Sequence, residues 1–90
     1  MKYDLLYHPE VKEDIRKIPA NIKARIRKAI EARLQNDPIQ YGQPLRQSLK
    51  GHRKLRVGDW RVIYHVEATT VVIIMIGNRK DVYKEVYRRV

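Results

Sequence analysis

The chain predicts an α+β domain: an antiparallel four-stranded sheet, an N-terminal helix pair packed on one of its faces and a short C-terminal helix, in the order βααβββα. Three observations lead there. Apolar residues recur at helical spacing only over residues 9–34 and 81–89, strand-like alternation and β-branched runs fill residues 53–76, and Gly58-Asp59 joins two of the strand-like runs. Helices in a row followed by strands in a row give segregated rather than alternating layers. Ninety residues hold one modest core, so a single domain over 1–90 is expected, with no linker, repeat or low-complexity segment dividing it.

Lys2 to Tyr7 alternates Tyr3, Leu5 and Tyr7 against Lys2, Asp4 and Leu6, which predicts a first strand with the former set toward the core. His8-Pro9 ends it. Proline costs nothing in the first turn of a helix, and Val11, Ile15 and Ile18 then fall at helical spacing, with acids early and bases late along the helix dipole. Pro19 breaks that helix. Asn21 reads as the N-cap of a second, whose stripe is Ile22, Ile26, Ala29, Ile30 and Leu34. Lys23, Arg25, Arg27, Lys28 and Arg33 flank or oppose the stripe and read as a solvated face. Asn36-Asp37-Pro38 stops the helix, and Ile39 to Ser48 reads as an irregular connection.

Gly51 to Glu67 reads as a β-hairpin. A two-residue loop with glycine first suits a type II′ turn, pairing Val57 with Trp60, Leu55 with Val62 and Arg53 with Tyr64 on a largely apolar face. Alternation sends Arg56 with Arg61, Lys54 with Ile63 and His52 with His65 to the other face. Like charges directly opposite cost up to about 1 kcal/mol, so Arg56 beside Arg61 calls for an anion. Thr70 to Ile76 predicts a strand buried on both faces and antiparallel to Trp60–Val66, with a turn near Ala68-Thr69; its double-sided apolarity leaves its register open. Gly77-Asn78 ends it, placing Arg79 just past the sheet. Asp81 to Arg89 closes the chain as a short helix with Val82, Val86 and one of Tyr83 and Tyr87 inward, and Arg61 and Arg79 are expected outside the core.

Lys and Arg number 20 against 10 Asp and Glu, a net charge of +10 and a pI near 10.2 in 10.8 kDa. A polyanion is the expected partner, bound with steep salt dependence. Pro38 to Gly58 contains no acid, while Arg46, Lys50, Arg53, Lys54 and Arg56 all fall there. The lack of cysteine removes disulfides and thiolate chemistry and fits a cytoplasmic chain. No apolar run has the length of a membrane span and the start lacks a signal-peptide core, so neither membrane nor export is expected. No metal-ligand spacing, P-loop or dinucleotide fingerprint occurs, and no metal or cofactor is expected.

What is left is a cationic patch, joined by Arg79 and, one helical turn later, Tyr83. It could serve binding alone. Scission of RNA by its own 2′-hydroxyl, however, needs only alignment, charge neutralisation on the phosphorane and proton transfer at both ends. Arginines meet the second need, and a lysine crowded by arginines, Lys54, is a candidate base because like charge disfavours its protonated form.

Leu49-Lys50-Gly51, the run Lys54 to Tyr64, and Gly77-Asn78-Arg79-Lys80-Asp81-Val82-Tyr83 together resemble the RelE branch of the RelE/ParE toxin superfamily, over nearly the whole chain. The resemblance implies a ribosome-dependent endoribonuclease that cuts mRNA in the A site and so inhibits translation. It also implies a catalytic set of Lys54 for proton transfer, Arg61 and Arg79 for the phosphate, and Tyr83 for orienting the nucleotide. Where the best-studied pattern has a second lysine two residues earlier, this chain has His52, which can do acid–base work near neutrality. Arg53, Arg56, Lys50, Arg46 and Lys80 are then expected to grip RNA or the ribosome. A small acidic RelB-like antitoxin is the implied protein partner, and DNA is met only through it. ParE-like relatives of the same fold act on DNA gyrase, and a basic RNA-binding module without catalysis is the third reading.

Overall fold

The structure, a computed structural model, describes residues 2–90. Its strands are β1 (Asp4–Tyr7), β2 (Gln43–Pro44), β3 (Arg53–Val57), β4 (Trp60–Glu67) and β5 (Thr70–Asn78), and its helices α1 (Val11–Arg16), α2 (Ala20–Ala29), α3 (Pro38–Tyr41) and α4 (Val82–Val86). The sheet is five-stranded and mixed, in the order β1-β5-β4-β3-β2. This corrects the four-stranded antiparallel expectation twice. β1 pairs with β5 in parallel, Asp4 opposite Thr70 through Tyr7 opposite Ile73, because the helix pair carries the chain back to the end of the sheet from which β1 began. The two-residue β2, too short to show as a period, pairs with Arg53 and Lys54.

The hairpin forms in the expected register, from Arg53 opposite Tyr64 to Val57 opposite Trp60. Gly58 has φ 60 and Asp59 is not among the positive-φ residues, as a type II′ turn requires. β4 and β5 pair antiparallel up to Glu67 opposite Thr70, with the turn at Ala68-Thr69. Between Ile63 opposite Met75 and Tyr64 opposite Ile73, Ile74 is extra. That bulge breaks the alternation of β5. Val71, Ile73 and Ile76 face the helix pair, whereas Val72, Ile74 and Met75 face the other way, so no period-two pattern could fix the register.

α1 begins at Val11, with Pro9 just before its cap Glu10, and α2 begins at Ala20 with Pro19 in the cap position, so Asn21 lies inside the helix instead of capping it. α2 runs into a π-helical stretch, Ile30–Leu34, where the Gln35 N–H donates to the Ile30 carbonyl at 3.2 Å. Its stripe packs on Leu55, Val57, Val62 and Tyr64 as the larger core. Tyr3 and Leu5 lean on that core, but Tyr7, on the edge strand β1, is exposed and lines an open groove between β1, α1 and α2 instead of entering the core. Part of the stretch expected to be irregular is α3, with the Asp37 carboxylate accepting from the Gln40 N–H at 3.1 Å. The Tyr64 hydroxyl donates to the Pro38 carbonyl at 2.5 Å, and a Cβ on Gly42 would lie 1.6 Å from that hydroxyl, so only glycine fits there.

The opposite sheet face carries a second, smaller core. Val82 and Val86 of α4 cover Ile63, Ile74 and Met75 together with Leu49. Only part of this face is covered, and the remainder carries Lys54, Arg56 and Arg61. No helix among the described residues is long and apolar enough to cross a membrane.

Candidate active site

Cross-strand register assembles the site. Arg56 lies opposite Arg61, and Arg61 opposite Gly77; one step along, Lys54 lies opposite Ile63 and Ile63 opposite Met75. Lys54 and Arg61 are therefore diagonal neighbours on the face that α4 half covers. Arg79 follows two residues after Gly77, fixed by its N–H, which donates to the Asp59 carbonyl of the hairpin turn at 2.8 Å. Its Nε lies 3.7 Å from Asp59 Oδ1, with the side chain about half exposed. Gly77 lets α4 approach, since a Cβ there would sit 3.2 Å from Val82 Cβ. With the helix seated, the Tyr83 ring lies under Lys54, whose Nζ is 5.9 Å from the ring centroid. Lys54, Arg61 and the Tyr83 ring, from distant parts of the chain, thus share one sheet face, and Arg79 stands at the hairpin turn whose carbonyls Arg61 binds.

Arg61 differs from expectation in its burial. It is 8% exposed, and its Nη1 donates to the carbonyls of Gly58 and Trp60, both at 2.9 Å. Pairing leaves Arg61 between Arg56 and Gly77, and the carbonyls of the turn hold the guanidinium in one orientation instead of letting it splay into water. The side chain is positioned before any ligand arrives.

His52 and His65 meet edge to face, with ring centroids 5.2 Å apart at 82°, just past the last hairpin pair. Burial, then the neighbouring His65, holds His52 below the ordinary 6.5, so it is neutral at physiological pH. Among the described residues its Nδ1 and that of His65 are buried without a partner, while His65 Nε2 lies 2.9 Å from Glu67 Oε1. No group of three or more metal-ligating side chains occurs among the described residues.

Of the expected RNA contacts, Arg56, Arg46, Lys50 and Lys80 are exposed, Arg46 and Lys50 flanking the 3₁₀ turn Gln47–Leu49 and Lys80 in the turn before α4. Arg53 is not with them. It faces the helix side and donates to the carbonyls of Ile39 and Gly42 at 2.6 and 2.8 Å, tying α3 to the sheet. Sequence reasoning missed Asp14 and Arg89. These form a bidentate pair at 2.6 and 2.7 Å, each side chain 8% exposed. Asp14 also accepts from the Ile76 N–H at 3.1 Å and Arg89 donates to the Ile74 carbonyl at 3.1 Å. Beyond the end of β1 these two side chains satisfy the open edge of β5 and anchor the chain just after α4. The carboxylate holds the Arg89 guanidinium firmly protonated.

The fold is shared with solved toxins. It superposes with a TM-score of 0.82 on a chain of the Mycobacterium tuberculosis toxin–antitoxin complex RelBE2, 30% identical, covering 90% of this chain and 95% of that one. With a free-state mutant of Escherichia coli toxin RelE the TM-score is 0.76 at 20% identity, over 100% and 99% of the two chains. Residues 5–83 match the family described as ParE toxin of type II toxin–antitoxin system, parDE. Toxin RelG of M. tuberculosis is 33% identical over 86 residues, 93% of this chain and 99% of that protein. The chain belongs to the RelE/ParE family of type II toxin–antitoxin toxins, as a RelE-like member.

Proposed function

We propose that this toxin is a ribosome-dependent endoribonuclease that cuts mRNA in the A site and so stops translation. The observation that supports this is Lys54 diagonal to Arg61 on one sheet face with the Tyr83 ring beneath the lysine, and Arg79 tied to the same hairpin turn whose carbonyls hold Arg61. In this reading the ribose 2′-oxygen attacks the adjacent phosphorus and the bond to the 5′-oxygen breaks, giving a 2′,3′-cyclic phosphate and a 5′-hydroxyl. Lys54 serves the proton transfers, with neutral His52, two residues earlier, as a second proton acceptor. Arg61 and Arg79 offset the charge gathering on the phosphorane, a contribution of about 10²–10³ in rate for one such donor. Tyr83 stacks on the nucleotide and aligns its 2′-hydroxyl.

Arg56, Arg46, Lys50 and Lys80 grip surrounding RNA. An acidic, RelB-like antitoxin would mask the basic face, as charge complementarity favours and as the toxin–antitoxin assembly of the RelBE2 relative supports. The working place of such a toxin is the cytoplasm, and DNA is reached only through the antitoxin.

The test is to incubate purified protein with message, with and without ribosomes, and to map the ends by primer extension. Cuts on ribosome-bound message alone support the proposal. The family match to ParE toxins favours one rival, inhibition of DNA gyrase. Intact message together with blocked supercoiling in a parallel gyrase assay would establish that rival instead.

A further inference from the structure

We propose that the groove between α2 and the β3–β4 turn is a second phosphate-backbone site, which takes structured RNA beside the reaction centre. The groove holds about 530 Å³ and is lined by Arg25, Lys28 and Arg33 of the second helix and its π-helical end, by Arg56 at the open β3 edge, and by Ala29, Ala32, Val57 and Gly58. No carboxylate lines it. None of the four cations enters an ion pair among the described residues. Arg25 reaches across to the turn, its Nη2 lying 3.7 Å from where a Cβ on Gly58 would stand.

The local helix geometry explains the grouping. An i→i+5 turn over Ile30–Leu34 advances less per residue than an α-turn, which draws Arg33 back toward the line of Arg25, Lys28, Ala29 and Ala32. What reads from sequence as a solvated face is thereby gathered into one groove. The three helix cations, with Arg56 at the rim, repel one another unless an anion enters.

The chemistry of the groove favours RNA over an acidic polypeptide. A protein segment gains most of its affinity from apolar and aromatic anchors, and the exposed floor offers only alanine methyls and glycine. The larger apolar groove, about 780 Å³ between β1, α1 and α2 and lined by Leu5, Tyr7, Val11 and Ile15, has what this one lacks. Continuity selects the polyanion. β2 covers only Arg53 and Lys54, so the β3 edge beside Arg56 is open, and Arg56 both lines the groove and pairs with Arg61. One backbone can run from the groove round that edge to the reaction face. The choice of RNA rests on the nuclease proposal; the phosphate site itself does not.

The experiment measures binding of a blunt RNA duplex across a range of salt concentrations. Four proteins are compared: the unaltered chain, Arg25→Ala/Lys28→Ala/Arg33→Ala, the charge-conserving Arg25→Lys/Lys28→Arg/Arg33→Lys, and Lys2→Ala/Lys17→Ala/Lys84→Ala, which removes the same charge from exposed positions elsewhere. The groove variant is expected to lose about tenfold or more in affinity, with a salt slope shallower by about 3. The control variant should change its slope by less than about 1. Arg25→Lys/Lys28→Arg/Arg33→Lys should restore the slope, which separates charge from folding. Equal losses in the two alanine variants would reduce the effect to net charge and overturn the site. An unchanged duplex affinity with lost binding of polyglutamate would also overturn it, in favour of an acidic protein. A DNA duplex bound as tightly as RNA would overturn the choice of RNA. Because binding is read without cleavage, a failed nuclease assay leaves this result intact.

Discussion

At the scale of single residues, His52 carries the clearest pH signature. Its folded-state proton affinity is lowered by burial and by His65, so the folded chain resists protonation more than the unfolded one. Stability from this site is complete above about pH 6.5, the ordinary value, and declines as the pH falls toward the lowered folded value. An imidazole titration followed by NMR should show His52 with a midpoint below that of an exposed histidine, and urea midpoints should fall between the two values. In the cleavage reaction the acid limb of the rate profile should likewise lie below 6.5 and vanish in His52→Ala; a limb unmoved by that substitution assigns the titration to another group. Arg61 holds the turn carbonyls besides its proposed part at the phosphate, so Arg61→Ala should lose about 1–3 kcal/mol of stability as well as activity. Gly42→Ala offers a purely structural contrast. The Tyr64 hydroxyl occupies the space a Cβ needs, so thermal unfolding should show a loss of about 1–3 kcal/mol or no folded protein.

At the scale of elements, the hairpin was the most legible part of the chain. Glycine at a required positive φ and an alternating apolar set fixed both register and facing, and the expected cross-strand pairs from Arg53–Tyr64 to Val57–Trp60 form. β1 was legible as a strand but not in its partner, because parallel pairing depends on where the helix pair delivers the chain. β5 hid its register behind the Ile74 bulge. The Asp14–Arg89 pair left a trace that could have been followed. Val82, Val86 and Arg89 share helical spacing, as do Val11, Asp14 and Ile18, so each inward stripe contains one charge of opposite sign. Breaking a buried pair from one side costs about 3–5 kcal/mol. Asp14→Ala should approach that loss in urea denaturation and speed hydrogen exchange across Val82–Val86, because α4 loses its anchor. Arg89→Ala in the same background should add little, since the pair acts as a unit.

At the scale of the whole molecule, the sheet divides the labour. One face is closed by the helix pair over the larger core, and the other is half closed by α4 and half given to cations. The candidate cluster was legible from the run Lys54 to Tyr64 and the segment Gly77 to Tyr83. What sequence could not show was the depth of Arg61, the carbonyls of Ile39 and Gly42 that Arg53 takes on the core face its alternation assigned, or the gathering of Arg25, Lys28 and Arg33 beside Arg56, since each depends on how separate elements lie against one another. The excess of 10 positive charges makes every encounter with RNA or an acidic chain sensitive to salt, so activities compare only at matched ionic strength.

Arg79 gives the cleanest access to the central claim, that these cations act together on one scissile phosphate. Its side chain is about half exposed and, among the described residues, its one ion pair is with Asp59, so the fold is expected to survive its removal. The decisive measurement is the single-turnover cleavage rate of ribosome-bound message by Arg79→Ala against the unaltered toxin. A fall of about 10²–10³ with an unchanged unfolding midpoint is predicted; a rate that stays within about twofold contradicts the account.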